Sequence, residues 1–151
     1  MINRLSLLFV IALSAFAAGS YTVERKSSLT AAAEVITVQL PAGTQRSARF
    51  ISASAYCSAQ CEITLERDGA LATTTTLTPT KLNSTDGTVT AAAFRSSNVG
   101  AGTTIGRQII GAGQMIVFVL QDIGLRAGET FTMRTDSITA TVIINIQWQE
   151  Y

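Results

Sequence analysis

There is no histidine in this chain. That removes the commonest general base, the commonest metal ligand and the usual partner of a serine or cysteine nucleophile. Charge is scarce as well: Asp, Glu, Lys and Arg make up 14% of the residues, against roughly 25% in an average soluble protein. Neither sign dominates. The formal net charge is +1, and setting aside the first seventeen residues, whose only charge is Arg4, brings it to zero. So neutral a chain lacks the cationic field that a phosphate backbone or an anionic bilayer requires, and nucleic acid is not expected as a partner. Arg46 and Arg49 lie close in sequence, but they read as solvated strand positions. Only two cysteines exist, too few for a zinc site that takes four Cys or His ligands. No metal and no cofactor is expected.

Long apolar runs are missing too. The longest, Leu5 to Leu13, is shorter than the roughly 20 residues of a membrane-spanning helix even when extended to Ala18. It follows Arg4 and precedes Ala15-Phe16-Ala17, the layout of a secretory signal with a cleavage site after Ala17. The expected organisation is a signal peptide or hydrophobic N-terminal segment over 1–17, a linker or lead-in over 18–33, and a folded domain over 34–151. With the signal removed, nothing remains to hold the chain in a membrane. The expected location is secreted or extracellular, including a virion surface.

Thr, Ser, Ala and Gly are abundant, and apolar residues alternate with polar ones. The longest such stretch is Ser137 to Trp148, where Ile138, Ala140, Val142, Ile144, Ile146 and Trp148 fall on every second position. That two-residue period is a strand with one face in a core, broken only by Ile143. Shorter alternations at Ile36–Leu40, Cys61–Leu65 and Thr130–Arg134 are punctuated by turn residues about every ten positions. Asp68-Gly69 reads as a hairpin turn that returns Ala70 to Leu77 beside the strand starting at Cys61. An Ala-Gly element recurs at Gly43, Gly102, Gly113 and Gly128 with irregular spacing, which is turn grammar and not a solenoid repeat. Eight to nine short strands without a convincing helix indicate an antiparallel β-sandwich, jelly-roll-like, with an immunoglobulin-like sandwich as the alternative.

Cys57 and Cys61 are four positions apart and come within disulfide reach if Ser58 to Gln60 turn back, as an exporting compartment would favour. Redox motifs prefer the Cys-x-x-Cys spacing, which is absent. Glu62 and Glu66 share a strand face, but no second carboxylate is seen to converge on them across a substrate, so a hydrolase is the weakest reading. The Gly-rich loop from Ser96 to Thr104 has no lysine after it for a phosphate cradle. Ser96, Ser97 and Asn98, with Tyr56 and Tyr151, are the candidates for contacts to a carbohydrate or cell-surface ligand. Trp148 shares the parity of the core face and is expected inside.

Met115 to Leu120 is apolar at all six positions. A sandwich strand normally turns one face to water, so this one needs a second cover, from a neighbouring subunit or from the N-terminal segment folded back. Ile116, Phe118 and Leu120, together with the outward Ile143, are the candidate contacts of a homo-oligomer, a trimer or larger assembly. Small neutral Thr/Ala/Gly-rich sandwiches resemble those of viral and phage structural proteins and of secreted adhesion modules. The chain is therefore expected to be a non-enzymatic structural or assembly protein, exported or virion-associated, with a secreted ligand-binding module as the alternative.

Overall fold

The computed structural model describes residues 19–71, 74–96 and 102–151. The expected signal, Met1 to Ala17, lies outside the described residues, as do Ser97 and Asn98. The strands are β1 (Gly19–Ala32), β2 (Val35–Gln39), β3 (Ala48–Cys57), β4 (Cys61–Arg67), β5 (Thr74–Leu77) and β6 (Thr80–Lys81). The second half adds β7 (Ala92–Ser96), β8 (Thr103–Ile110), β9 (Gln114–Val119), β10 (Gly124–Leu125), β11 (Thr130–Thr135) and β12 (Ile138–Glu150). No helix occurs among the described residues.

These twelve strands, where eight to nine were expected, form two antiparallel sheets. The first runs β10-β3-β12-β1-β6, with β9 paired to β3 beside β10; the second runs β5-β7-β2-β11-β4-β8. The excess over the expected count comes largely from pieces without an apolar period of their own. Among them are the two-residue β6 and β10, and β1, which occupies the stretch read as a linker or lead-in. Pairing among the longer strands is nested: β1 with β12, β2 with β11, β3 with β9 and β4 with β8.

The strong alternation of the last strand does what the period dictates. Ala140, Val142, Ile144, Ile146 and Trp148 are buried, and the residues between them are half-exposed. β12 lies between β1 and β3, with Gly19 opposite Glu150 and Leu29 opposite Ala140 along one side. Opposite this face, Ile36, Val38, Ile63, Phe131 and Met133 of the second sheet close the core. Phe50 and Phe131 meet across it with ring centroids 4.3 Å apart, and Tyr21 lies 6.0 Å from Trp148 on the neighbouring strand. Aromatic pairs at such spacings add about 1 kcal/mol to the area they bury.

Asp68-Gly69 does not make the expected hairpin. β4 is bordered on one side by β11 and on the other by β8, so no edge is left for Ala70 to Leu77, and β5 pairs with β7 instead. Asp68 takes φ 59° and its amide donates to the Thr130 carbonyl, which ends β4 without reversing it. The Ala-Gly turns behave as anticipated at Gly43, Gly113 and Gly128, all with φ between 72° and 86°, a region that suits a residue without Cβ.

Candidate functional site

Cys57 ends β3 in the first sheet and Cys61 begins β4 in the second. Their disulfide, with Cα atoms 6.4 Å apart, clips the crossing between the sheets. Both residues are buried. The bend is tied to the start of β12 by the Ser58 amide donating to the Thr141 carbonyl and the Thr141 amide to Ser58 Oγ. The pair is therefore a structural staple, as its spacing suggested.

The outer face of the first sheet can be read row by row from its register. One row is Met115, Tyr56, Ile143 and Lys26; the next is Val117, Ser54, Asn145 and Glu24; a third is Val119, Ser52, Gln147 and Thr22. Its middle is a polar ladder: Asn145 Nδ2 donates to Thr22 Oγ1 at 3.0 Å, and Ser52 Oγ to Gln147 Oε1 at 3.4 Å. Its β9 margin is apolar. Met115, Val117 and Val119 are 67%, 56% and 75% exposed.

This reverses the expected parity on β9. Leu120 is buried in the core, and Ile116 and Phe118 are half-buried against it, because they oppose the inward Ala55 and Ala53 of β3. Leu120 is therefore closed to a partner. The outward residues of the strand are Met115, Val117 and Val119. Ile143 does lie on the outer face, half-exposed beside Tyr56. In the second sheet β8 exposes Ile105 and Ile109, at 41% and 60%, and Ile109 stands opposite Glu62.

The residues considered for ligand contact do not converge. Tyr56 sits near one end of β3 and Tyr151 beside Ser47, just before the other end; at about 3.4 Å per residue they are separated by roughly 30 Å. Ser96 ends β7 in the opposite sheet. Tyr151 instead borders a cleft of about 740 Å³ with Arg49, Arg67, Gln121, Arg126 and Glu129. Arg67 is paired with Glu129 at 3.0 Å, whereas Arg49 donates Nε to the Gln121 carbonyl at 2.6 Å. Among the described residues, neither Arg49 nor Arg126 forms an ion pair. Spacing could not have revealed this cleft, since its residues come from four separate parts of the chain.

The carboxylates serve the fold. Glu62 and Glu66, on one face of β4, pair with Arg107 and Arg134 respectively. Glu34 is fully buried and holds Arg95 at 2.9 Å. Glu150, also fully buried, accepts the amides of Thr90 and Ala91 at 2.8 Å and the Trp148 indole at 3.1 Å. Tyr21 lies beside this cluster and donates its hydroxyl to the Gly87 carbonyl at 3.0 Å. Burial pushes its phenol above the ordinary tyrosine range, with Glu150 adding to the rise, Arg46 opposing it and Asp86 adding a smaller push. Among the described residues, no three His, Cys, Asp or Glu side chains cluster in a way that could hold a metal, and no helix is long and apolar enough to cross a membrane. No protein-family model, curated protein or solved structure shows a significant match to the chain.

Proposed function

We propose that the chain is a non-enzymatic structural protein, exported or virion-associated, that acts by homo-oligomerisation of a jelly-roll domain. The jelly-roll reading rests on the nested order of pairing, β1 with β12, β2 with β11, β3 with β9 and β4 with β8, distributed alternately over two sheets. That is what results when one long hairpin is rolled up on itself. Export is favoured by the buried Cys57–Cys61 disulfide, since such bonds persist in oxidising compartments. The layout of Met1 to Ala17 points the same way.

The observation that carries assembly is the apolar margin of the outer face, Met115, Val117 and Val119. Tyr56 and Ile143 continue it inward. Contiguous apolar surface rimmed by polar side chains marks a contact site. Native mass spectrometry of the wild-type protein tests the proposal. A mass above that of the monomer is expected, and a monomer at micromolar concentration overturns it.

The cleft at Tyr151 favours a second reading, a secreted carbohydrate-binding module. Arg49 and Arg126 supply guanidinium groups without a described carboxylate partner, and Tyr151 an exposed ring. Guanidinium binds carboxylate bidentately and a tyrosine face packs on a sugar, so the ligand would be an acidic sugar. Retention on immobilised polyuronate, lost in Arg49→Ala and Tyr151→Ala, is the expected result. No retention of the wild-type protein overturns it.

A further inference from the structure

The two edges of the first sheet differ in chemistry. Past its short pairing with β6 at Tyr21 and Thr22, β1 has no further partner among the described residues on that side and carries Glu24, Arg25 and Lys26 in succession. Charges of this kind keep other strands off an edge. Along the upper part of the other side runs β9, Gln-Met-Ile-Val-Phe-Val, with no charge and no proline. No charged residue occurs from Gly111 to Gln121. An edge left this way invites another strand.

Its backbone is arranged for one. The Leu120 amide donates to the Ile51 carbonyl at 3.3 Å. Antiparallel ladders alternate between bonded and non-bonded pairs, so the amides of Ile116 and Phe118 also face β3. The N–H and C=O groups of Met115, Val117 and Val119 then face away from the sheet. The same three residues hold the exposed apolar side chains.

We propose that β9 pairs antiparallel with β9 of a second copy about a two-fold axis at Val117, so that the first sheet runs on from one copy into the next. The proposal rests on the assembly reading above and specifies its geometry. In this register Val117 opposes its own counterpart, and Met115 opposes the counterpart of Val119. Every outward N–H and C=O of the three residues is then used. On the inner side Ile116 opposes the counterpart of Phe118, which closes the flank where both are only half-buried. The nearest charge, Asp122, opposes the counterpart of Ala112, so no like charges meet. A second copy suits this strand because apolar meets apolar on both faces when it pairs with itself. A two-fold contact also closes at two copies and leaves no free β9 to grow a fibre.

Cysteine cross-linking reads the register directly. Opposed residues of a hydrogen-bonded pair have Cα atoms about 5.5 Å apart, within disulfide range, so Val117→Cys is expected to give a covalent dimer under mild oxidation. Met115→Cys and Val119→Cys, each about 14 Å from its own counterpart, are expected to stay uncross-linked alone and to cross-link when mixed. Val117→Pro, which removes an amide facing outward and is tolerated on an edge, is expected to lose the pairing while keeping the monomer's circular dichroism. A multimeric wild type whose Val117→Cys variant never cross-links, whose Met115→Cys variant cross-links alone, or whose native mass is an odd number of subunits overturns strand pairing and leaves assembly standing. A monomeric wild type without the Val117→Cys cross-link overturns both.

Discussion

Trp148 and Glu150, two positions apart on β12, both point into the sandwich, and the indole N–H donates to the buried carboxylate at 3.1 Å. A carboxylate without access to water persists there because two backbone amides, from Thr90 and Ala91, complete its shell and Arg46 approaches to 3.8 Å. Glu150 thereby fastens the connection that precedes β7 to the last strand.

Replacing Glu150 by Gln tests this anchor. An amide presents one acceptor where the carboxylate had two, and turns its own donors toward N–H groups. We expect a loss of about 2–3 kcal/mol in urea unfolding, with faster hydrogen exchange at the Thr90 and Ala91 amides. An unchanged midpoint would show that the connection holds itself.

Removing the staple has a different signature. The loop closed by Cys57 and Cys61 is very short, so Cys57→Ala with Cys61→Ala is expected to cost only about 2 kcal/mol. The variant should fold in reducing buffer, with its lower stability seen in denaturant titration. A loss above roughly 5 kcal/mol would exceed the usual range for a disulfide and point to disrupted packing.

Tyr21 predicts an alkaline limit. Its phenol titrates above the ordinary value of 10.0 in the folded chain, so above that pH the unfolded state releases its proton first. Stability from this residue is complete below pH 10 and falls as the pH rises further. Tyr21→Phe lacks the bond to Gly87 and should be about 1 kcal/mol less stable at pH 7. Its deficit should shrink as the pH passes 10; a constant gap would rule the mechanism out.

Adjacent residues of β12 should separate fold from assembly. Ile144 is fully buried, and Ile144→Ala is expected to cost about 3–4 kcal/mol through transfer and cavity terms. Ile143 faces outward beside Tyr56, so Ile143→Lys should leave the unfolding midpoint within about 0.5 kcal/mol while lowering the native mass. Unfolding of the Ile143→Lys variant would place that residue in the core instead.

How much of this was legible in the sequence depended on how each strand earns its place. β12 declares itself because each of its inward positions from Ile138 to Trp148 is apolar. β1 pairs with it along nearly its whole length yet is hard to read, since Arg25 and Ser27 interrupt the inward row of Tyr21, Val23 and Leu29 and blur its period. Asp68-Gly69 carries hairpin chemistry, but a turn signal says nothing of whether the neighbouring edge is free. On β9 the sequence reveals that both faces are apolar and cannot say which is inward. That depends on Ala53 and Ala55 opposite, whose small side chains let Phe118 and Ile116 lean in. The Arg49–Tyr151 cleft is assembled entirely by tertiary folding.

The nested pairing has a kinetic consequence. Gly19 lies opposite Glu150, so the strand nearest the start of the sandwich finds its long partner in the strand nearest its end. Contacts of such sequence separation close slowly, and β3 also needs β12 beside it. On a chain emerging gradually from a ribosome, the first sheet therefore cannot be completed until Trp148 and Glu150 arrive.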